Sequence, residues 1–165
     1  MMILERVSMN DQEYMRRVRA LEGRLYRVAQ AILWRQQDSL DAVQEAVFRG
    51  WLKKDRLNDP ERFEAWLMRI LVNECRDALR RRRRGPLPLD ADVSREDRLC
   101  EDLQLRLALK RLPEKYRLPL VLHHTEGYSI REIALMLKLP ESLVTSRLHQ
   151  ARKAMRRLLD GGDEA

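Results

Sequence analysis

The chain has 165 residues, which suits one ordinary domain or two small ones, and its hydrophobic fraction of 44% is sufficient for a packed core. A formal net charge of +7 indicates an acidic partner, either nucleic acid or an anionic membrane surface, or else only a solvated cationic surface. No apolar run approaches the ~20 residues of a membrane span, and the two cysteines indicate neither a metal site nor a disulfide framework. We therefore expect a cytoplasmic protein without direct membrane insertion and without a cofactor.

The N-terminal part predicts two helices. Along the first, apolar residues recur at steps of three and four: Tyr14, Val18, Leu21, Leu25, Val28 and Ile32. The same pattern predicts a second helix whose apolar stripe is Leu40, Val43, Val47 and Trp51. The polar stretch from Lys53 to Asn58 then predicts a loop.

A third helix has a clear start signal, because Asp59 can cap it and Pro60 suits its first position. Its predicted buried face consists of Phe63, Trp66, Leu67, Ile70, Leu71 and Ala78. The helix ends in the arginine run from Arg80 to Arg84. This run is either a phosphate-binding patch or a solvated helix end. We favour phosphate contact, since five adjacent cations repel one another without a counter-charge.

Charge changes sign after this helix. Seven arginines face two carboxylates over residues 69–84, whereas two arginines face six carboxylates over residues 85–104. This alternation predicts two basic modules joined by an acidic linker. We place the first module at residues 1–84, the linker at 85–100, the second module at 101–160 and a polar tail at 161–165.

The second module is also predicted to be helical. One helix contains Leu103, Leu107 and Leu112 and ends near Pro113, and the next contains Leu118, Val121 and Leu122 and ends at Gly127. Two more are predicted at residues 129–137 and 140–159. No segment has the period-2 pattern of a strand, so the predicted fold is all-α, with two small helical domains joined by a flexible linker.

The last two helices have the pattern of a helix-turn-helix. Ser129 and Glu132 form a capping box, Ala134 is small enough for close helix contact, and Lys138-Leu139-Pro140 forms a tight break. Val144 and Leu148 would anchor the second helix from below. The residues left facing outward could contact DNA bases or phosphates: Ser142, Thr145, Ser146, Arg147, His149, Gln150 and Arg152. An ordinary helical hairpin with a solvated face is the alternative interpretation of this segment taken alone.

These features can be compared with two classes of function, a DNA-binding regulator and an enzyme. A stand-alone helix-turn-helix regulator would use the second module for DNA and the first for dimerisation. An enzyme acting on nucleic acid is not supported, because the sequence has no paired carboxylates, no Cys/His cluster and no glycine-rich phosphate loop. His123 and His124 are adjacent and point in different directions on a helix, and His149 is isolated.

Two motif sets resemble the extracytoplasmic-function sigma factors of bacterial RNA polymerase. The run from Asp41 to Trp51 resembles one helix of that family, and Phe63 to Leu67 with Arg69, Asn73 and Asp77 resembles the next. In the second module the resemblance lies in Leu112-Pro113, Tyr116-Arg117, Glu126 to Ser129, Glu132 to Ala134, Leu139-Pro140 and Ser146 to Arg152.

The resemblance implies a promoter-directing initiation factor with core polymerase and promoter DNA as partners, and with an anti-sigma protein that the sequence does not identify. It assigns polymerase contact to Asp41, Gln44 and Glu45, and −10 DNA contact to Trp66, Arg69, Asn73, Arg76 and Arg80. It assigns −35 contact to the outward residues of the last helix, and capture of a flipped base to the loop from Lys53 to Asn58, which contains no aromatic residue. Leu143 and Thr145 depart from the family pattern, so the −35 preference does not carry over.

The acidic linker suggests a further hypothesis. Asp90, Asp92, Glu96 and Asp97 would make it a negative strand that occupies a basic nucleic-acid channel before RNA fills it.

Overall fold

The computed structural model describes residues 8–84 and 103–161 of the chain. Each regular element within these two ranges is helical, which confirms the all-α prediction. The first module contains α1 (Asp11–Leu33), α2 (Gln36–Lys53) and α3 (Phe63–Arg84). The second contains α4 (Leu103–Arg111), α5 (Glu114–Leu120), α6 (Ile130–Leu137) and α7 (Glu141–Leu159). The acidic linker, the hypothesis built on it and most of the tail lie outside the described residues.

Helix α1 has the predicted apolar stripe, which is buried along its whole length. Asn10 caps its N-terminus by accepting a hydrogen bond from the backbone nitrogen of Glu13. The helix stops at Trp34, which has a left-handed backbone conformation with φ of 59° and donates its N–H to the carbonyl oxygen of Gln30. α1 is therefore a 23-residue support against which α2, α3 and α5 pack.

The predicted stripe of α2 is correct only in part, since Val43 and Val47 pack against the core cluster but Leu40 and Trp51 are exposed. The residues that face the core are Ser39, Ala42, Ala46 and Gly50, whereas Leu40 and Trp51 are 43% and 41% exposed and Val43 and Val47 are half-buried. Close approach of the backbones is the reason. A Cβ on Gly50 would lie 2.5 Å from the Tyr14 hydroxyl oxygen and 3.0 Å from Cδ1 of Leu67. Small residues let α2 come this close to α1 and α3, and the larger apolar residues are displaced to its outer side.

The predicted start of α3 needs a small correction. Asp59 does act as a cap, but it caps a 3₁₀ turn, Pro60–Arg62, and the α-helix itself begins at Phe63. Phe63, Leu67 and Leu71 are buried as predicted, while Trp66, Ile70 and Ala78 are half-buried. The predicted loop from Lys53 to Asn58 is partly helical, because α2 extends to Lys53 and another 3₁₀ turn covers Lys54–Arg56.

In the second module, α5 continues directly into a π-helical turn, Val121–Thr125, and Gly127 adopts a φ of 77° before α6 begins. The predicted first helix is present as α4, yet Leu103 and Leu107 are exposed and only Leu112 of the three leucines is buried. α7 buries Val144, Leu148, Ala151 and Met155, which places α4, α5 and α6 against one side of it.

The two modules contact each other through a shared apolar cluster. Leu118, Leu122, Tyr128 and Ile133 of the second module belong to the same cluster as the buried residues of α1 and α3, and α6 packs against α3. A smaller cluster under α4 belongs to the second module alone. Over the described ranges, no helix is both long and apolar enough to cross a bilayer.

Candidate nucleic-acid interface

The turn between α6 and α7 has the predicted helix-turn-helix geometry. The Ser129 hydroxyl accepts a hydrogen bond from the backbone nitrogen of Glu132 at 3.1 Å, and the Glu132 carboxylate accepts one from the backbone nitrogen of Ser129 at 2.7 Å, which completes the capping box. Lys138 adopts the left-handed conformation with φ of 54° that ends α6. A non-glycine residue in this region costs roughly 1 kcal/mol, so the sharp turn is maintained against local strain.

The outward face of α7 contains the residues predicted to contact −35 DNA. Arg147 is half-buried at the edge of this face, and the other six are exposed: Ser142, Thr145, Ser146, His149, Gln150 and Arg152. The Thr145 hydroxyl donates to the carbonyl oxygen of Glu141 at 3.0 Å. Six of the seven are therefore accessible on α7, and Arg152 also borders a groove that includes Leu120 of α5.

Arg152 is held by a histidine of the π-helical turn. Its Nε donates to Nε2 of His124 at 3.2 Å. Burial, together with the neighbouring Arg152 and His123, lowers the pKa of His124, which favours the neutral ring whose Nε2 can accept this hydrogen bond. The rings of His123 and His124 meet edge to face with centroids 5.1 Å apart, and they contact different partners, since Nδ1 of His123 lies 2.8 Å from the carbonyl oxygen of Tyr128.

The outward face of α3 contains the five residues predicted to contact −10 DNA. They share this face through their three- and four-residue spacing: Trp66, Arg69, Asn73, Arg76 and Arg80. Asn73 and Arg80 are exposed, and Trp66 and Arg69 are half-buried, with the Trp66 ring 5.9 Å from that of Phe63. Nε of Arg69 is a buried donor with no protein acceptor, so this guanidinium has unused hydrogen-bonding capacity.

Arg76 lines one groove with Asn73 and Arg80, and it also has a partner in the second module. Its Nε donates to the carboxylate of Glu114, at the start of α5, at 3.2 Å, and its side chain is 31% exposed. Sequence reasoning could not place this contact, because 38 residues separate the two partners.

The arginine run at the end of α3 divides into different roles. Arg82 donates to the carbonyl oxygen of Leu33 at 3.2 Å and forms an ion pair with Asp38, so it stabilises the junction between α1 and α2. Arg80 donates to Asp77 at 2.5 Å. Arg81 and Arg83 are exposed. Phosphate contact by this run stays a prediction, and Arg82 is the member with a structural role.

The residues predicted to contact polymerase are all exposed on α2. Gln37 donates to Asp41 at 3.0 Å, and Gln44 points to solvent. Nε of Arg49 donates to Glu45 at 2.9 Å, and Nη1 of Arg49 lies 3.0 Å from the carboxylate of Glu74. Asp41, Glu45, Arg49 and Glu74 line a groove of about 660 Å³ between α2 and α3.

Glu74 connects this face to α3. Its side chain is 5% exposed; burial raises its pKa, and the positive charge of Arg49 opposes that rise. Glu74 therefore fixes Arg49, and Arg49 in turn orients Glu45. The i,i+4 spacing of Glu45 and Arg49 was visible in the sequence, whereas the contribution of Glu74 depends on how α3 packs on α2.

An aromatic pair lies beside the segment predicted to capture a base. Trp51 at the end of α2 stacks near Phe48 with ring centroids 6.4 Å apart, and the ammonium group of Lys54 lies 6.0 Å from the Trp51 ring. The indole N–H of Trp51 donates to Asp11 at 2.9 Å. The loop itself contains no aromatic residue, but the fold places one next to it.

Comparison with known proteins agrees with this geometry. Residues 17–85 match the family described as Sigma-70 region 2, and residues 102–155 match Sigma-70, region 4. The chain is 34% identical over 139 residues to the ECF RNA polymerase sigma factor SigM of Mycobacterium tuberculosis, covering 82% of this chain and 71% of that protein. The chain belongs to the ECF RNA polymerase sigma factors. It is also 28% identical over 180 residues to SigW of Bacillus subtilis, covering 94% of each chain.

Two solved structures share the fold of this sigma factor. The sigma factor RpoE of Bartonella quintana, in complex with the anti-sigma factor NepR, matches with a TM-score of 0.77 over 90% of this chain and 98% of that chain, at 21% identity. CnrH in complex with the cytosolic domain of CnrY matches with a TM-score of 0.72 over 95% and 94%, at 26% identity. The helical modules of this sigma factor therefore have the family's architecture.

Proposed function

We propose that this sigma factor binds the core of bacterial RNA polymerase, directs it to specific promoters and assists in melting them, and that it does so without catalysis of its own. The exposed outward face of α7 is the observation that carries the proposal. It presents hydroxyl, amide, imidazole and guanidinium groups on a helix-turn-helix whose first helix is capped at both ends and whose second helix is packed in the core.

We assign the −35 element to the second module, residues 101–160. Hydroxyl and amide groups on α7 suit hydrogen bonding to base edges, and Arg147 and Arg152 suit a guanine edge or a phosphate. Arg152 is already oriented by His124. Because Leu143 and Thr145 depart from the family pattern, the preferred −35 sequence is expected to be particular to this chain.

We assign the −10 element to α3 of the first module, residues 1–84. Arg69 and Arg80 would contact phosphates, and Asn73 would contact a base edge or a backbone oxygen. A base flipped out of the melted strand would stack on the partly exposed Trp51, beside the loop from Lys53 to Asn58. Base stacking on an aromatic ring contributes about 1–3 kcal/mol per base, which offsets the cost of unstacking.

We assign core polymerase to the outer face of α2. Asp41, Gln44 and Glu45 form a short patch of hydrogen-bond acceptors in a basic protein, and such a patch suits arginines across an interface. Leu40 and Phe48 lie on the same outer face and are 43% and 52% exposed. A partner that covers these apolar side chains would bury additional area. A location in the cytoplasm follows from this partner.

An anti-sigma protein is a further partner that we propose. One of the solved structures described above, that of RpoE of Bartonella quintana, is a complex with the anti-sigma factor NepR, and CnrH is likewise in complex with a second protein, the cytosolic domain of CnrY. The chain resembles them over nine-tenths of its length. Purification of this sigma factor from its native host, with identification of the proteins bound to it, would identify that inhibitor.

In vitro transcription with purified core polymerase on a promoter library tests the proposed function. The expected result is transcription from a subset of templates that share two upstream elements, one read by each module. Co-purification distinguishes the stand-alone regulator, because a sigma factor forms a stoichiometric complex with core polymerase and a simple regulator need not. DNA binding without polymerase association would overturn the proposal in favour of the regulator.

A further inference from the structure

The hydroxyl of Thr145 is turned back onto the backbone of α7. Thr145 is exposed on the outward face of this helix, and its Oγ1 donates to the carbonyl oxygen of Glu141, one turn earlier, at 3.0 Å. The Cβ of a threonine carries its hydroxyl and its methyl group at different staggered positions. The methyl group therefore points away from this carbonyl, and it is the part of the exposed side chain that is left for a partner.

This hydrogen bond limits how Thr145 can contact a base. A hydroxyl has one hydrogen to donate, and here the helix backbone accepts it. The hydroxyl therefore has no hydrogen left for N7 or O6 of guanine, for N7 of adenine or for O4 of thymine. Recognition of a base through a hydrogen bond donated by Thr145 is excluded in this conformation.

The position of Thr145 suits contact between a short side chain and a base edge. α7 begins at Glu141, so Thr145 lies in its second turn, and the N-terminal residues of a recognition helix are those that contact bases. Ser142 and Ser146 are exposed and short as well. Three short side chains allow the backbone of α7 to approach the floor of a major groove, where a methyl group on Cβ can touch a base.

Thymine is the base that offers an apolar group in the major groove. Its C5-methyl group projects there, whereas guanine, adenine and cytosine present hydrogen-bonding groups and no methyl group. Contact between two methyl groups removes apolar area from water, and burial of one such group strengthens binding about fourfold. A pyrimidine with a 5-methyl group is therefore the base that best matches the exposed part of Thr145.

We propose that Thr145 is a specificity-determining residue that selects a thymine in the −35 element, by contact between its methyl group and the C5-methyl group of the base. The inference rests on the proposed function, in which α7 reads that element. Because Thr145 departs from the family pattern, this preference is a property of this chain.

The test uses the holoenzyme, formed from the full chain and purified core polymerase, on a promoter that it transcribes. Each thymine of the −35 element, on either strand, is replaced in turn by uracil, and affinity is measured by competition against a fluorescent copy of the unmodified promoter. Uracil pairs as thymine does and keeps O4, so the substitution removes the methyl group alone. We expect one thymine at which uracil lowers the affinity of the wild type about fourfold.

The reciprocal substitution adds a methyl group to a different base. At the same position a C·G pair is expected to bind more weakly than T·A, and 5-methylcytosine is expected to bind about fourfold more tightly than cytosine. Methylation at C5 leaves the hydrogen-bonding groups of cytosine unchanged. This comparison therefore separates recognition of the methyl group from recognition of the base pair.

Three substitutions of Thr145 separate its methyl group from its hydroxyl. Valine keeps the methyl group, serine keeps the hydroxyl and alanine keeps neither, and the helix propensities of valine, serine and threonine are similar. T145V is expected to bind the unmodified promoter as the wild type does and to keep the fourfold penalty for uracil. T145S and T145A are expected to bind that promoter about fourfold more weakly and to show no penalty for uracil at that position.

Two control variants lie on the same helix. Leu143 is another exposed apolar residue near the start of α7, at 37% exposure, so L143A tests whether Leu143 contacts the thymine methyl group instead. S146A removes a neighbouring hydroxyl. Both variants are expected to retain the full penalty for uracil at the thymine that Thr145 contacts.

Three results would overturn the inference and leave the proposed function standing, provided that changes in the −35 sequence still alter affinity. They are a −35 element in which no thymine shows a penalty for uracil, a loss of affinity in T145V with full affinity in T145S, and a penalty for uracil that persists in T145A. A holoenzyme that binds every −35 sequence equally, or a chain that does not bind core polymerase, would overturn the proposed function and the inference with it.

Discussion

The close contact of α2 with α1 and α3 is best tested by adding one methyl group, in the variant Gly50→Ala. The new Cβ would lie 2.5 Å from the Tyr14 hydroxyl oxygen and 3.0 Å from Cδ1 of Leu67. Neither neighbour can move freely. Tyr14 is fully buried and its hydroxyl donates to the carbonyl oxygen of Val47 at 2.6 Å, and Leu67 is fully buried in the core.

The expected cost follows from these contacts. Overpacking of this kind costs about 1–3 kcal/mol, and loss of the Tyr14 hydrogen bond costs about 1 kcal/mol more. Alanine is favoured over glycine inside a helix by roughly 1 kcal/mol, which offsets part of this. The free energy of unfolding should therefore fall by about 1–3 kcal/mol, and Tm by about 3–10 °C for a chain of this size.

Thermal and urea unfolding followed by circular dichroism measure the effect, with two matched variants. Y14F removes the hydroxyl that the methyl group meets, so G50A should cost at least about 1 kcal/mol less in the Y14F background. L40A changes a residue on the exposed side of α2 and should cost less than about 1 kcal/mol. An unfolding free energy of G50A at or above the wild-type value, or a larger loss for L40A than for G50A, would refute the packing described here.

Three further predictions concern the turn, the buried thiol and the polymerase face. Lys138→Gly should raise the free energy of unfolding by up to about 1 kcal/mol because it relieves the left-handed strain, whereas K138A should not, and equal effects in urea unfolding would contradict this. Burial raises the pKa of the Cys75 thiol to about 12. In a C100S background, Ellman's reagent should therefore release no thionitrobenzoate quickly from the native protein at pH 8, and one equivalent after unfolding in guanidinium. A fast reaction of the native protein would show that the thiol is accessible. Glu74→Gln should weaken core polymerase binding roughly 2–5-fold, because Arg49 then holds Glu45 less firmly, and R49K should have a similar effect. A loss confined to DNA binding would argue against the link from Glu74 through Arg49 to Glu45.

Much of the architecture could be predicted because local signals agree with the final packing. The stripe of α1, the capping box of Ser129 and Glu132, and the break at Lys138 are all encoded within a few residues. Each of these signals depends on helix periodicity or on backbone hydrogen bonds that must be satisfied nearby. That is why the helix-turn-helix was predicted correctly from sequence.

The side of α2 that faces the core could not be predicted in this way. Hydrophobic periodicity favoured Leu40, Val43, Val47 and Trp51, but the core selected the small residues that begin one position away, at Ser39. Contact distance between helices decided the outcome, and that distance depends on Tyr14 and Leu67, which lie far away in the sequence.

Long-range polar partners were also beyond sequence reasoning. Arg82 appeared to belong to a uniform cationic run, yet it bonds to Leu33 and Asp38. Arg76 lies on the DNA face, yet it also bonds to Glu114 of the other module. The charge and hydrogen-bonding groups of these residues could be read from the sequence, but the partner that each one bonds to depends on the tertiary arrangement.

The division of labour between the two modules is tested most directly by measuring the core polymerase affinity of Gln44→Ala and Arg147→Ala side by side. Gln44 is exposed on α2 and Arg147 lies at the edge of the outward face of α7. We predict that Q44A weakens capture of core polymerase, whereas R147A binds core like the wild type and loses initiation only at promoters that depend on their −35 element. Equal losses of core affinity in the two variants would contradict the assignment of polymerase to the first face and promoter sequence to the second.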